Sequence, residues 1–213
     1  EEPFYRYLCS WARAARKPSD LGFDDMVDKD GRKRPFVLPQ LVESEHLIQS
    51  ENLREGMLFA LPAVGMREQR EERRVSLKER CEYAAQLTIN HPSSISWYHL
   101  NPEGDLLAKI IPDSIQISGR DSDDEKEEKF TAFIAGQFKR LVINSKIGAY
   151  GLNLQNCAHQ TTFPNNSFER HYQQVRRSWL FAQNSKVIID ILMTDCDQVV
   201  RANQLRKDAQ ATQ

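Results

Sequence analysis

The stretch "RLVINSKIGAYGLNL", residues 140–154, joins a short strand to a glycine-spaced turn. Residues 140–144 have the composition of a strand, and a turn is predicted over 145–151. Gly148 and Gly151 would let the backbone approach a ligand closely and point N–H groups at an anion. Because ligands in open α/β sheets bind outside the carboxyl ends of the strands, this turn is a candidate phosphate site. The alternative is a tight turn without a ligand. For a glycine pair considered alone, this alternative is the better explanation.

Strands and helices alternate on both sides of this stretch. Such alternation predicts an α/β fold with a mostly parallel sheet covered by helices on both faces. The near-continuous apolar run "VIIDILM" (187–193) supports this, because strands of parallel sheets are buried on both sides. The predicted strands are 94–100, 114–118, 140–144, 158–163 and 186–193, and the predicted helices are 102–111, 122–137, 167–183 and 195–210.

The chain has a different composition before residue 92. Residues 1–91 predict a largely helical or irregular connecting region, and residues 92–213 predict the α/β domain. The first part contains a polar, turn-rich segment near 24–35 that predicts a mobile loop, and a long helix is predicted over 66–89. Residues 36–48 have short apolar runs interrupted by Pro39, which predicts one strand.

Composition excludes several classes of protein. The 213 residues carry a net charge of −1, so any site for a polyanion must be a local patch. No apolar run is long enough to span a bilayer and no secretory signal is seen, which predicts a cytoplasmic protein without a membrane partner. The scattered cysteines predict free thiols and no metal site; they are Cys9, Cys81, Cys157 and Cys196. The missing initiator Met predicts a piece of a longer protein.

A cationic helix is predicted shortly after the glycine turn, at "YQQVRRSWLFAQ" (172–183). Gln173, Arg177 and Leu180 are spaced i, i+4 and i+7, so they share one face of the helix. Arg176 lies on an adjacent strip. Adjacent arginines on a surface helix are common and alone indicate little.

Order and spacing together carry a resemblance to a known family. The chain resembles the C-terminal RecA-like half of superfamily 2 helicases, especially the Swi/Snf-type branch and its phage-encoded relatives. The resemblance implies a bacterium or a phage-infected cell as the host. The fifth motif of that family has the pattern S-x-x-G-G-x-G-x-N-L, and here it reads "SKIGAYGLNL" (145–154). The sixth, Q-x-x-x-R-x-x-R-x-G-Q, reads "QQVRRSWLFAQ" (173–183). The fourth resembles "ISWYHLNPEGDLL" (95–107), and a strand ending in Ser-Gly, "IQISG" (115–119), follows it.

The resemblance implies a three-layer RecA-like domain that forms one wall of an ATP site between two such domains. It implies a catalytic role at the γ-phosphate for Arg177, helped by Arg176, and contacts to ATP from Gly148, Gly151, Asn153 and Gln173. DNA contacts would come from Ser118, Gly119, Ser145 and Lys146. ATP and Mg²⁺ would bind only together with the N-terminal RecA-like domain of the same protein, because neither a G-x-x-x-x-G-K-[ST] loop nor a D-E-x-H-like box occurs in this sequence. The isolated chain is therefore predicted to be inactive.

Three departures from the family pattern keep other functions open. Leu180 stands where the second arginine of the sixth motif is expected, Ala182 replaces a glycine, and Ala149 replaces another. Leucine cannot stabilise phosphate charge, so a catalytically degenerate RecA-like module that binds DNA or protein is the alternative. An unrelated doubly wound domain that binds a nucleotide by itself is a third alternative, but it would need a glycine-rich turn after its first strand, which "SISWYHLNPEG" lacks.

Overall fold

The structure is a computed structural model of the chain and describes residues 2–12, 18–26, 38–48, 66–148, 152–181 and 183–212. Within these residues six strands form one sheet whose hydrogen-bonded neighbours all run parallel. The strands are β1 Leu41–Leu47, β2 Ser94–Tyr98, β3 Ser114–Ile117, β4 Arg140–Asn144, β5 His159–Thr162 and β6 Val187–Met193. The helices are α1 Glu2–Trp11, α2 Met66–Val75, α3 Leu77–Ile89, α4 Asn101–Ile110, α5 Asp123–Ile134, α6 Ser145–Gly148, α7 Phe168–Ser178 and α8 Asp197–Thr212, with a 3-10 turn at Pro18–Leu21.

The sheet is the middle of three layers. Its strand order is β1-β6-β5-β2-β4-β3, so the chain crosses over the sheet between most strands. Helices α3 and α4 pack on one face, where Cys81 and Leu107 are buried against Tyr98. Helices α5 and α7 cover the opposite face through Phe133 and Val175. The predicted α/β class with a parallel sheet is therefore confirmed.

Burial along the strands explains why the sequence forms a parallel sheet. Every residue of β2 and of β5 is buried, as expected for central strands with helices on both faces. The outer strands β1 and β3 contain partly exposed positions because each pairs on one side only. Apolar side chains therefore alternate between two cores, one on each face of the sheet.

The predicted long helix over 66–89 is wrong in one respect, because it is divided into α2 and α3 at Ser76. The buried Ser76 hydroxyl donates to the carbonyl of Glu72 at 2.8 Å. Serine hydroxyls that bond back to the preceding turn bend helices. Two further predictions change in detail: the turn at 145–151 begins as the short helix α6, and the helix predicted to end at 183 ends at Ser178.

The sheet also includes residues that precede the domain boundary predicted between residues 91 and 92. Strand β1 pairs with β6 in register, from Leu41 opposite Val187 to Leu47 opposite Met193. Helix α3 contributes Cys81 to the core under the sheet. The loop predicted near 24–35 lies largely outside the described residues.

Two further predictions concern membrane-spanning segments and the state of the cysteines. None of the helices in the described part is long and apolar enough to cross a membrane. All four cysteines are free thiols, and Cys81, Cys157 and Cys196 are buried as packing residues, whereas Cys9 is exposed. Burial raises the pKa of Cys81 to about 12 and that of Cys157 to about 11, so these thiols stay protonated at neutral pH.

Candidate phosphate and nucleic-acid binding site

A polar cavity of about 380 Å³ opens where three central strands end. Because parallel strands share one carboxyl edge, the residues after β2, β4 and β5 come together there. The cavity is lined by Arg73, His99, Ser145, Lys146, Asn165, Asn166, Ser167 and Arg170. Two of the four residues predicted to bind DNA, Ser145 and Lys146, therefore lie in one cavity.

His99 ties the three strand ends to one another. Its Nε2 lies 2.8 Å from the carbonyl of Phe163, which can only accept, so Nε2 carries the proton. Its Nδ1 lies 2.7 Å from Oγ of Ser145, which is therefore the donor. Burial lowers the pKa of His99 although Glu103 acts against that shift, so the ring is neutral at physiological pH. Both ring nitrogens are thus occupied within the protein, and the ring fixes the floor of the cavity.

The turn that carries His99 is held from below by a buried ion pair. The Glu103 carboxylate accepts the backbone N–H of His99 at 3.0 Å and that of Leu100 at 2.9 Å. It also accepts from Nη2 of Arg80 at 2.9 Å, and both side chains are buried. Burial by itself would raise the pKa of Glu103, but Arg80 and the other donors outweigh it and lower the pKa. The carboxylate therefore remains charged and the β2–α4 turn is rigid.

Three cations face the cavity, and they differ in how they are neutralised. Arg73 lies 2.9 Å from Asp197 and also donates to the carbonyl of Pro164, so its charge is balanced. Lys146 and Arg170 form no ion pair with any residue in the described part of the chain. The cavity therefore carries an excess of positive charge in a protein whose net charge is −1.

The amino end of α7 adds oriented donors. Ser167 caps this 11-residue helix, and its Oγ accepts the backbone N–H of Arg170 at 3.2 Å. Asn165 accepts the backbone N–H of Ser167 at 2.8 Å. The Nδ2 of Asn165 is buried and has no hydrogen-bond partner within the described residues. An unpartnered buried amide beside a helix amino terminus and two cations is a suitable environment for a phosphate or other anion.

The other two predicted DNA-binding residues lie further along the same edge of the sheet. Ser118 and Gly119 follow β3, which is the next strand beyond β4. The backbone N–H of Ser118 donates to Asp121 at 2.8 Å, and Gly119 is exposed. These two residues do not line the cavity, although they continue the row of strand ends that begins at β5.

The predicted catalytic arginines have different surroundings. Arg177 donates to the carbonyl of Leu152 at 2.9 Å and, through two further N–H groups, to Gln173 at 3.0 Å each. Three of its five N–H groups are thus used, and the other two have no partner within the described residues. Burial lowers the pKa of Arg177, but a guanidinium remains charged at neutral pH. Arg176 instead stacks on the rings of Tyr172 and Trp179, at 5.0 Å and 4.7 Å from their centroids.

The predicted ATP-binding residues are only partly described. Gly151 lies outside the described residues. Gly148 is buried, and a Cβ there would come within 2.5 Å of Ile143 and 2.7 Å of Trp97, so it is required for packing whatever else it does. Asn153 is exposed, and its side chain accepts the backbone N–H of Gln155 at 3.2 Å. Gln173 orients Arg177 directly. The contacts of these residues with ATP stay predictions.

Several cavity residues escaped the sequence analysis. The Asn-Asn-Ser run before α7 is a helix-start signal, and a basic residue in the first turn, Arg170, is unusual because it opposes the helix dipole. That pair of signals is the sequence feature that points to this candidate anion site. Arg73 carries no such signal, since it reaches the cavity from α2, far away in the sequence.

Comparison with known proteins places the fold but not a family. No protein-family model and no curated protein matches this sequence. Among solved structures, the C-terminal part of the Fun30 ATPase domain matches with a TM-score of 0.50 and 15% identity, over 61% of this chain and 44% of that one. The C-terminal domain of the DEAD-box protein Dbp5 matches with a TM-score of 0.52 and 12% identity, over 61% of this chain and 78% of that one. This chain has a RecA-like fold.

A third match is the E. coli DEAD-box protein SrmB, solved bound to the regulator of ribonuclease activity A. Its TM-score is 0.52 at 15% identity, over 62% of this chain and 79% of that one. The structural neighbours are thus C-terminal domains of helicases, which confirms the predicted fold class. Identities this low establish the fold alone. The match spans less than half of the Fun30 chain, 44% of its length.

Proposed function

We propose that this chain is the second RecA-like domain of an ATP-dependent DNA helicase or translocase and that its cavity holds the phosphate backbone of the DNA. The observation that carries the proposal is the row of donors at the strand ends, where Lys146, Arg170 and the unpartnered amide of Asn165 meet the amino end of α7. Such donors bond phosphate oxygens without reading base sequence. A motor that moves along DNA needs contacts of this kind.

The ATP side of the proposal rests on Arg177. Its guanidinium is fixed beside the segment that follows Gly151, through the carbonyl of Leu152, and two of its N–H groups have no partner among the described residues. Arginine held in this way stabilises the charge on a transferring phosphoryl group. ATP with Mg²⁺ would be held mainly by an N-terminal RecA-like domain, since this sequence has neither the lysine loop nor the acidic box. The finer assignment, to the Swi/Snf-type branch with phage relatives, rests on the order of the motifs.

A second function, a catalytically degenerate module that only binds, is favoured by two observations. Arg176 is stacked between Tyr172 and Trp179, so it is not directed toward a phosphate. Leu180 stands in the second arginine position of the sixth motif. If the module function is correct, DNA binding persists and Arg177 has no role in turnover. The motor function predicts instead that Arg177→Ala abolishes DNA-stimulated ATP hydrolysis, measured with this chain joined to its N-terminal domain. An unchanged rate, or no hydrolysis by the unaltered protein, would favour the module.

The test of the DNA site compares two lysines that flank the same strand. Lys146 follows β4 at the cavity, whereas the exposed Lys139 precedes β4 at the opposite edge of the sheet. Binding of a labelled duplex is measured by fluorescence anisotropy over a series of salt concentrations. We expect Lys146→Ala and Arg170→Ala each to weaken binding and to reduce the salt slope by about 1. Lys139→Ala should behave like the unaltered chain; equal losses for Lys139→Ala and Lys146→Ala, or binding insensitive to salt, would rule the cavity out.

A further inference from the structure

A group of histidines lies on the face of the sheet that α3 covers, away from the polar cavity. Asp190, in the middle of β6, accepts from Nε2 of His159 at 2.9 Å and from Nε2 of His46 at 2.9 Å. The ring of His91 stacks on that of His159, with centroids 3.7 Å apart and planes within 7°. We call these four residues the His–Asp cluster. None of them takes part in the DNA or ATP sites proposed above.

The spacing within the cluster suits a metal ion. One nitrogen from each of His91 and His159 and one carboxylate oxygen of Asp190 all lie within 4.8 Å of one another. A tetrahedral zinc ion with bonds of about 2.0–2.1 Å holds its ligand atoms about 3.3 Å apart. The three atoms must therefore approach by about 1.5 Å at most. His91 is only partly buried, so rotation of its side chain supplies most of this movement.

His159 already brings a ligand nitrogen next to the carboxylate of Asp190. This residue is 2% exposed, and its Nε2 lies 2.9 Å from a carboxylate oxygen of Asp190. An ion bound between Nε2 and that oxygen would take the place of the proton that Nε2 donates. That proton would then move to Nδ1, which has no other partner among the described residues.

The scaffold holds the cluster in place before any ion binds. His159 and Asp190 are on adjacent paired strands, β5 and β6. Arg140 donates to the carbonyls of Ile89 and His91 at 3.3 Å each, which fixes the chain just after α3. His46 has a carboxylate oxygen of Asp190 on one side and the hydroxyl of Tyr83, 3.2 Å from its Nδ1, on the other. Ligands that are fixed by such neighbours bind metals more tightly.

We propose that the His–Asp cluster is a zinc-binding site in which His91, His159 and Asp190 are the ligands and His46 orients the carboxylate. Two neutral imidazoles and one carboxylate form a nitrogen- and oxygen-rich set that zinc prefers, and the single negative charge offsets part of the charge of the ion. The ion would join the end of α3 to β5 and β6. With three protein ligands, a water would complete the four-coordinate shell, and the bound ion would stabilise the packing of one helix layer on the sheet.

The test uses the untagged chain, since a polyhistidine tag would bind the same ions. After chelation and dialysis, Co²⁺ is added as a spectroscopic substitute for zinc. We expect one equivalent per chain to give the intense visible absorption of four-coordinate Co²⁺, and Zn²⁺ to displace it. At saturating Zn²⁺ the Tm should rise by about 5 °C or more.

Two variants keep the result interpretable. His91→Gln removes a ligand at a partly exposed position, so we expect a folded protein whose Co²⁺ affinity falls at least about 100-fold and whose Tm no longer responds to Zn²⁺. His171→Gln is the matched control, because His171 pairs with Glu43 outside the cluster and should leave Co²⁺ affinity unchanged. No four-coordinate spectrum with the unaltered chain, or equal affinities for the unaltered chain and His91→Gln, would overturn the proposal.

Discussion

At Gly148 a single missing methyl group decides how α6 packs. A Cβ there would lie 2.5 Å from Cδ1 of Ile143 and 2.7 Å from Cζ3 of Trp97, distances that real Cβ atoms do not show. Trp97 is held in position by its Nε1, which donates to Gln160 at 2.8 Å. Cδ1 of Ile143 is a terminal methyl, but Cγ1 of the same side chain lies at 3.0 Å and the ring of Trp97 is rigid, so a larger residue would have to displace the core.

We therefore expect Gly148→Ala to lower the free energy of unfolding by about 1–3 kcal/mol, because overpacking forces side chains and backbone to shift. Gly119→Ala is the matched control, since nothing lies within 4 Å of a Cβ at that exposed position. Urea denaturation of both variants measures the difference. Equal stabilities of the two variants would contradict the requirement for a glycine in the packing at position 148.

At the scale of elements, the connection between α3 and α4 depends on one buried pair of charges. Arg80 of α3 and Glu103 of α4 are 2.9 Å apart and almost fully buried. Arg80 also lies over the ring of Phe163, 4.6 Å from its centroid, so it links both helices to the segment after β5. Removing one charge of such a pair leaves the other buried and uncompensated.

We expect Glu103→Gln to destabilise the protein by about 3–5 kcal/mol, because Arg80 keeps its charge without a counter-ion. Glu82→Gln, on the neighbouring helix α3, is the control: its partner Lys78 is 3.8 Å away and both side chains are largely exposed, so the loss should stay below about 1 kcal/mol. The measurement is the midpoint and slope of urea unfolding. A loss for Glu103→Gln no larger than that for Glu82→Gln would show that α4 docks without the pair.

The elements themselves could be predicted from the sequence far better than their contacts. The run 187–193 was recognisable as a buried strand because nearly all of its residues are apolar. The break at Ser76 was not, because serine also occurs inside helices and only its bond to Glu72 distinguishes the two cases. The position of β1 beside β6 depends on pairing between residues 146 positions apart, such as Leu41 and Val187 (187 − 41 = 146), which no local pattern encodes. The same holds for Arg73 and for the His–Asp cluster, which come together only in the folded chain.

For the molecule as a whole, acid stability depends on carboxylates buried beside cations. Glu43 of β1 accepts from His171 of α7 at 3.0 Å and from Arg201 of α8. Burial would raise the pKa of Glu43, but His171 and Arg201 outweigh it and lower the pKa from 4.5 to about 2. This group therefore links the edge strand to both outer helices and titrates well below its ordinary range.

A lowered pKa stabilises the folded state above the unfolded pKa and ceases to do so as pH falls through the folded value. The contribution of Glu43 is about 3 kcal/mol at neutral pH and should be lost between pH 4.5 and about 2. We expect Glu43→Gln to be less stable at pH 7 and to show a shallower decline of unfolding free energy on acidification. The exposed Glu128→Gln serves as control and should follow the unaltered chain. Parallel curves for Glu43→Gln and the unaltered chain would contradict the assignment.

The edge position of β1 has a practical consequence for anyone who shortens this protein. A truncated version beginning at residue 92 would retain β6 but lose the neighbour that covers its outer hydrogen-bonding groups. An uncovered, mostly apolar strand at a sheet edge is a template for pairing with a second molecule, which leads to insoluble material or exchanged strands. Cloning limits chosen from the helicase-like motifs alone would thus favour aggregation, whereas limits that keep residues 41–47 would keep β6 paired on both sides.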